Sequence, residues 1–213
     1  IKGVLFMPKI IAPKIPSSLT PALEADFTDN YTKRTKFTGT FPLRETEQLV
    51  IDQSYFENVF FEGNHYPKMD LTDVRFEKSN LSNLSLYSST LHRVSFHDCK
   101  LTGVDLSDSL LHNVHFENCV LDLAGFSFTK FKAATFTNCE LTGAEFESAD
   151  FKQFSFQECQ LTDCLFANTS LNGLDFTNCH FDKLTASIDS LKGLKVTEEQ
   201  ALKLATLLGI VIE

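Results

Sequence analysis

The chain of 213 residues contains no tryptophan, and glycine (nine) and proline (six) are both scarce. Its longest apolar runs are far shorter than the about 20 residues that cross a bilayer. Near the start, Val4-Leu5-Phe6-Met7 is too short for the core of a signal peptide. We therefore expect no membrane segment and no secretory leader.

Signatures of common catalytic sites are absent too. The sequence has no glycine-rich phosphate loop, no Cys-x-x-Cys and no His-Glu-x-x-His. His92 and His112 are twenty residues apart, with His97 and His115 nearby, but no carboxylate or thiolate obviously joins them. Exposed histidines explain this group better than a metal site. We predict that the protein is not an enzyme and that it uses no cofactor and no metal.

Phenylalanine is what the chain has in abundance, and it returns at a fixed interval. One column is Phe56, Phe76, Phe96, Phe116, Phe136, Phe156 and Phe176, and a second is Cys99, Cys119, Cys139, Cys159 and Cys179. Both belong to a repeat of five: from Ile51 to Leu191 every fifth residue is Ile, Phe or Leu, apart from Tyr66 and Ala186. Helices and strands have periods of 3.6 and 2.0 and lose this register. The repeat therefore predicts a solenoid of stacked coils.

In each group of five, the central residue and the residue two before it are inward candidates, and the other three are largely polar. A coil of four such groups has four sides. Coils about 4.8 Å apart would place like residues on like residues, so we expect one continuous phenylalanine stack. About seven coils would give a rod roughly 35 Å long with a nearly flat exterior.

The repeat resembles the pentapeptide-repeat family, whose consensus is approximately Ala-(Asp/Asn)-Leu-x-x. Ala149-Asp150-Phe151 and Cys139-Glu140-Leu141-Thr142-Gly143 carry the match. The resemblance implies an all-β fold, a right-handed quadrilateral parallel β-helix. We assign residues 51–196 to it and residues 1–50 to an N-terminal extension with irregular first coils. Phe27 and Phe37 lie one step out of register, which predicts a break between residues 38 and 50.

Six cysteines raise the question of disulfides. Five occupy one inward column, and Cys164 holds the equivalent place on the next side. Parallel side chains suit packing better than the geometry of an S–S bond. We expect reduced, buried thiols and, from that, a cytoplasmic protein.

Residues 197–213 differ in kind and predict a C-terminal helix with a tail. Thr197 and Gln200 form a capping box, and Gly209 is a stop signal. The apolar residues of the helix cover a wider arc than one buried stripe needs. We therefore predict a homodimer through this end, with contacts from Leu202, Leu204, Ala205, Leu207 and Leu208. The alternative is a cap covered by the Ile210-Val211-Ile212 tail.

Charge is unevenly distributed. Residues 46–196 carry 11 Lys and Arg against 21 Asp and Glu, and the whole chain has a formal charge of −9. The predicted partner-binding acidic face consists of Asp105, Asp108, Asp122, Glu140, Glu145, Glu147, Asp150 and Asp163. Lys130, Lys132 and Lys152 lie on the next side. Phosphate repulsion argues against direct nucleic-acid binding, which leaves a negative surface for a protein partner or a role in solubility alone.

The C-terminal region resembles one branch of the family more closely. Ser170-Leu-Asn-Gly-Leu-Asp-Phe176, Ser190-Leu-Lys-Gly-Leu-Lys-Val196 and the helix that follows are similar to the end of Qnr-type quinolone-resistance proteins, above all the chromosomal type of Gram-positive bacteria. The resemblance implies a cytosolic homodimer that mimics DNA, binds DNA gyrase or topoisomerase IV and relieves fluoroquinolone poisoning. The unbroken register from 51 to 191 leaves no room for the projecting loops of many plasmid-borne members. A structural scaffold for another protein partner is the alternative.

Overall fold

The computed structural model describes residues 8–22, 30–41, 48–61 and 65–210. They form a mostly-β parallel solenoid of about seven turns, with one short helix at its C-terminal end. This confirms the predicted fold class. The expectations for Phe27, for the stretch 42–47 and for the tail residues Val211 and Ile212 fall outside the described residues.

Long strands form on two consecutive sides of each coil. The strands are β1 (Thr20–Pro21), β2 (Tyr31–Lys33), β3 (Thr35–Phe41), β4 (Val50–Asp52), β5 (Tyr55–Phe61), β6 (Asp70–Glu77), β7 (Thr90–His97), β8 (Leu110–Glu117), β9 (Lys130–Thr137), β10 (Asp150–Gln157), β11 (Cys164–Leu165) and β12 (Leu184–Thr185). Strands β1 to β10 join one parallel sheet, and β11 pairs with β12. The remaining two sides are held by single bridges and turns.

Each coil has four walls, named here by the central residues that point inward. Wall 1 is centred on Phe96, Phe116 and Phe136; wall 2 on Leu101, Leu121 and Leu141; wall 3 on Leu106, Phe126 and Phe146; and wall 4 on Leu91, Leu111 and Phe131. From β6 to β10 the partners are twenty residues apart, as in Val74, Val94 and Val114. Wall 1 therefore lies opposite wall 3, and wall 2 opposite wall 4.

A left-handed residue turns the chain at most corners, two places after the central residue. In one coil these are Asp98, Gly103, Asp108 and Asn113, with φ between 53° and 67°. Glycine, asparagine and aspartate tolerate this conformation better than other residues. The polar residues of the repeat thus shape the backbone as well as face water.

The phenylalanine column forms a stack only over part of its length. Ring centroids are 4.8 Å apart between Phe76 and Phe96 and 4.7 Å apart between Phe96 and Phe116, with nearly parallel planes. Between Phe156 and Phe176 the distance is 5.8 Å and the interplanar angle is 76°. The prediction of one continuous stack is therefore wrong at its end.

Phe154 explains that departure. It occupies the inward place that holds valine or alanine in β6 to β9, and its ring lies 4.8 Å from the ring of Phe156. Its larger volume turns the neighbouring rings out of the parallel arrangement. Strand β10 is also the last strand of the large sheet.

At the N-terminal end the register shifts by one residue between Phe37 and Gly39. Phe37 is paired with Phe56, nineteen residues on, whereas Phe41 is paired with Phe61, twenty residues on. The shift is an irregularity of the β3–β5 ladder at Thr38, the first position of the predicted interval. The coil before β5 thus still contributes Phe37 to the aromatic stack, at 4.3 Å from Phe56.

The C-terminal helix α1 (Glu198–Ala205) continues into a 3-10 turn, Thr206–Leu208, which ends at left-handed Gly209. Thr197 and Gln200 form the predicted capping box. Gln200 is buried, and its Nε2 donates 2.8 Å hydrogen bonds to the carbonyl oxygens of Phe176 and Cys179. The helix is therefore joined to backbone acceptors at the end of the solenoid, including the Phe176 oxygen that also accepts from the backbone N–H of Cys179.

Candidate protein-binding surface

The interior of the solenoid is filled with buried side chains. All six cysteines are free and buried. Burial raises the pKa of the Cys179 thiol to about 11, so it holds its proton at neutral pH. Within the described ranges no three His, Cys, Asp or Glu side chains are grouped to hold a metal ion. The sites of interest are therefore on the outer walls.

Wall 3 carries the densest group of the predicted acidic residues. Asp105 and Glu145 occupy the same outward place two coils apart, about 10 Å at the spacing of a β-ladder. Asp108 and Glu147 lie on the same wall. None of the four forms an ion pair in the part of the chain that the structure describes. Their negative charge is thus available to a partner.

The other predicted acidic residues are more dispersed. Asp163 turns the corner between walls 2 and 3. Asp122, on wall 2, accepts a 2.8 Å hydrogen bond from the backbone N–H of Thr142, and Glu140 lies in a wall 2 ladder. Asp150 begins β10 and forms a 3.0 Å ion pair with Lys152 on wall 4. Asp150 therefore contributes less to a continuous negative surface than the wall 3 residues do.

Wall 4 has the opposite character. Lys132 lies between His112 and Lys152 in the ladder, and Lys130 precedes it on the same strand. The rings of His92 and His112 are 4.9 Å apart and tilted. Burial, with the positive charge of Arg93, lowers the pKa of His92 below its ordinary value. The solenoid thus presents acidic and basic sides next to each other.

The N-terminal segment 8–16 crosses the outside of wall 1, and we call it the arm. The backbone N–H of Ile11 donates to Oδ1 of Asn113 at 3.1 Å, and that of Lys14 donates to Oδ1 of Asp73 at 2.8 Å. Between arm and wall is a groove of about 530 Å³, lined by Pro8, Ile10, Ala12, Pro13, Ile15, Arg75, Val94, Ser95, His97, His115, Thr135, Thr137 and Gln157. The exterior is therefore not flat on wall 1, contrary to the prediction, because the proline-rich arm packs against it.

Beside the groove, Glu117 lies between two histidines. Its Oε2 is 2.9 Å from Nδ1 of His97 and 3.6 Å from Nε2 of His115. Burial lowers the pKa of His115 below its ordinary value. Nδ1 of His115 is 2.5 Å from Oγ1 of Thr135, so these side chains form one polar network along the groove lining.

The predicted dimerisation residues divide into two sets. Leu204 packs against the core, and Ala205 and Leu207 are half-buried. Leu202 and Leu208 are 55% and 57% exposed, and Ile210 is similarly exposed. The helix therefore seals the last coil with one face and leaves a second apolar face uncovered by any described residue.

Sequence reasoning missed two features. The hydrogen bonds of Asp73 and Asn113 to the arm join residues far apart in sequence, for which the repeat gives no signal. Leu123 and Phe128 are 67% and 57% exposed at left-handed corners. The sequence repeat could have indicated them, because both are large apolar residues at positions where neighbouring coils have small or polar ones.

A filled parallel β-solenoid of five-residue repeats defines the structural class of this protein. The chain belongs to the pentapeptide-repeat family: the family model for a pentapeptide repeat region matches residues 50–128 and 129–202, well over half of the chain. A search among curated proteins finds no match. In the described residues no helix is both long and apolar enough to cross a membrane.

Solved structures of several repeat proteins are similar to the chain. A trypsin-treated variant of QnrB1, a plasmid-mediated fluoroquinolone resistance protein, is 20% identical over 82% of this chain and 100% of its own, with a TM-score of 0.39. HetL, involved in heterocyst differentiation regulation in the cyanobacterium Nostoc, is 17% identical over 77% and 88%, with a TM-score of 0.32. Rfr23 from the cyanobacterium Cyanothece is 13% identical over 70% and 91%, with a TM-score of 0.24.

Proposed function

We propose that this protein is a Qnr-like DNA mimic that binds DNA gyrase, topoisomerase IV or both in the cytoplasm and protects them from fluoroquinolones. The observation that carries the proposal is the charge of wall 3. Across its five middle segments, 83–89, 103–109, 123–129, 143–149 and 163–169, the sequence has five carboxylates and neither lysine nor arginine, while Lys68 and Lys183 lie in the coils at the two ends of the wall. Those carboxylates are Asp105, Asp108, Glu145, Glu147 and Asp163.

Rigid spacing makes these charges suited to a site that binds DNA. The carboxylates are fixed to coils that repeat at about 4.8 Å, so they form an ordered array along the rod. A basic groove that attracts the regularly spaced phosphates of a duplex attracts such an array by the same Coulombic force. The arm covers wall 1, on the opposite side, and leaves wall 3 accessible.

The likeness of residues 170–210 to the end of Qnr-type proteins, above all the Gram-positive chromosomal type, supports the same proposal. Dimerisation through the exposed face of α1 is part of it, since Leu202 and Leu208 have no apolar cover among the described residues. An end-to-end two-fold contact would double the length of the acidic surface. Sedimentation at low micromolar concentration tests this part: a dimer that dissociates in Leu202→Ser/Leu208→Ser supports it, and a 24 kDa wild-type monomer contradicts it.

A scaffold for another protein partner is the second candidate. The observation that favours it is the uninterrupted twenty-residue ladder from β6 to β10, which has no projecting loop. The mechanism of the looped Qnr members therefore does not transfer to this chain. Under this candidate the walls bind a protein, and no topoisomerase is affected.

A supercoiling assay with purified gyrase, with and without ciprofloxacin, separates the two, and a decatenation assay does the same for topoisomerase IV. Wild-type protein at micromolar concentration should change activity or restore it in the presence of drug. Glu145→Lys/Glu147→Lys should weaken the effect without unfolding the protein. Asp98→Lys/Glu158→Lys, the same change of charge at the corner of walls 1 and 2, is the matched control. No effect of the wild type on either enzyme would favour the scaffold.

A further inference from the structure

We propose that Leu123 and Phe128 form an apolar anchor on wall 3 for a protein partner whose apolar side chains are surrounded by basic ones. This inference rests on the proposed function, because it names the chemistry of the partner contact on the same wall. It adds an apolar contact, which a protein that imitated only the negative charge of DNA would not require. The anchor lies in the coil at the middle of the repeat region.

Leu123 and Phe128 have two properties that do not stabilise the fold: exposure to water and a left-handed backbone. Leu123 is the most exposed large apolar side chain in the described part of the chain, and Phe128 is 57% exposed. Both have a left-handed backbone, with φ of 57° and 59°. A large apolar residue gains nothing from folding when it stays in water, and leucine and phenylalanine disfavour this backbone region.

Neighbouring coils show what the two corners ordinarily hold. In the column of Leu123 the neighbouring coils have Asn83, Gly103, Gly143 and Asp163, followed by Lys183, and in the column of Phe128 they have Lys68, Ser88, Asp108, Ser148 and Asn168. Ile188, at the end of the column of Phe128, is also exposed, but its backbone is right-handed, with φ of −57°. Only the coil from 121 to 131 has large apolar residues at both corners of wall 3. The exception is therefore local to one coil and to one wall.

Two glycines, Gly125 and Gly143, lie beside Leu123 and Phe128. A Cβ atom on Gly143 would lie 2.9 Å from Cδ2 of Leu123, so the leucine side chain rests over a position that only glycine leaves open. Gly125 stands between the two corners, at the place that carries Asp105 and Glu145 in the coils on either side. Leu123 and Phe128 therefore flank Gly125, which has no side chain of its own and which Asp105 and Ser107 approach from the preceding coil.

The charges around Leu123 and Phe128 indicate what kind of partner can bind there. Asp105 and Asp108 precede the pair along the rod, and Glu145 and Glu147 follow it. A second copy of this wall would be repelled by the same four carboxylates, and so would nucleic acid. A protein surface with apolar residues inside a basic rim satisfies both the apolar pair and the carboxylates.

The test uses Leu123→Asn/Phe128→Asn, because asparagine suits the left-handed corner and removes the apolar surface. Phe60→Thr, which removes an exposed aromatic side chain from wall 2, is the control. Binding is measured to purified gyrase and topoisomerase IV. It is also measured by nuclear magnetic resonance to a short synthetic peptide with two phenylalanines between lysines, and to the same peptide with serines in their place.

We expect the double variant to fold and to lose at least about tenfold in affinity for the topoisomerase and for the phenylalanine peptide, with the control near wild type. If no topoisomerase binds but the peptide is still bound through Leu123 and Phe128, the proposed function fails and the anchor stands. Undiminished binding by the double variant, alongside loss in Glu145→Lys/Glu147→Lys, overturns the anchor. So does equal binding of the two peptides, or a change in oligomeric state of the double variant, which would make the pair a contact between copies.

Discussion

The backbone N–H of Lys14 donates a 2.8 Å hydrogen bond to Oδ1 of Asp73, 59 residues further along the chain. Arg93 binds the same carboxylate through Nε at 2.6 Å and Nη2 at 2.7 Å. Burial of Asp73 opposes its ionisation, but the hydrogen bonds from Arg93 and Lys14 prevail and lower the pKa of its carboxyl below the ordinary value. Together with the bond from Ile11 to Asn113, two coils away, this contact fixes the arm along wall 1.

Removal of either contact should release the arm while the solenoid stays folded. Asp73→Ala removes the charged acceptor of the Lys14 backbone N–H, so we expect a loss of about 2 kcal/mol in docking of the arm. Asn113→Ala should cost about 1 kcal/mol. Limited trypsinolysis at Lys9 and Lys14 measures the release as a faster cleavage rate.

Asn138→Ala is the matched control for Asn113→Ala. Asn138 has the same left-handed backbone one coil further along, at the corner of walls 1 and 2, and its side chain bonds Asn118 rather than the arm. Equal cleavage of the arm in wild type and in Asp73→Ala would show that the arm is held by other contacts.

The exposed corners of wall 3 give a prediction about stability. Leu123→Asn and Phe128→Asn should each leave the free energy of unfolding unchanged or raise it by up to about 1 kcal/mol, because asparagine tolerates the left-handed region at lower cost. Asn168→Phe, the reverse change at the equivalent left-handed corner of a later coil, should lower it by a similar amount. Urea unfolding followed by circular dichroism gives both values, and a marked loss of stability in Leu123→Asn would mean that its side chain supports the fold.

The five-residue period was enough to predict the solenoid, because a register held over many coils permits only a stacked geometry. It also located the inward cysteines and the capping box of Thr197 and Gln200, since both depend on local sequence. The rotated ring of Phe176 was not predictable from its own column. It results from the volume of Phe154 in a different column. The period predicts which residues point inward, but not how a larger side chain displaces its neighbours.

The candidate surface was predictable in part for a similar reason. Outward positions follow from the repeat, so Asp105 and Glu145 could be placed on one wall. The repeat also places Asp150 and Lys152 two residues apart on one strand of wall 4, but their ion pair depends on side-chain conformations that the period does not fix. The course of the arm has no periodic signal, since Ile11 and Lys14 bond to corners of coils far from them in sequence.

Burial of the cysteine column predicts slow reaction with thiol reagents. At pH 8 a folded sample should show almost no reactive thiol, because burial raises the pKa of Cys179 to about 11 and the side chains lie inside the coils. Six thiols per chain should react after unfolding in guanidinium chloride. Cys179 should react first among them in the folded state, since it is the most exposed of the six at 8%. A count below six after unfolding without reductant would indicate a disulfide.

Protonation of His115 and His92 should make the protein less stable as the pH falls below about 6.5. The pKa of each imidazole is lowered in the folded state, mainly by burial, so the unfolded chain, with a histidine pKa of about 6.5, binds more protons just below that pH. The free energy of unfolding must then fall as the pH decreases through 6.5 and level off below the folded pKa values.

Glu117, His97 and Thr135 surround His115, so His115→Gln keeps a polar group there while it removes the titration. Urea unfolding at pH 7.5, 6.5 and 5.5 should show a weaker pH dependence for His115→Gln than for wild type, and His180→Gln, at an exposed position, controls for the loss of a histidine. An unchanged pH dependence in His115→Gln would mean that this histidine is protonated with equal ease in the folded and unfolded states.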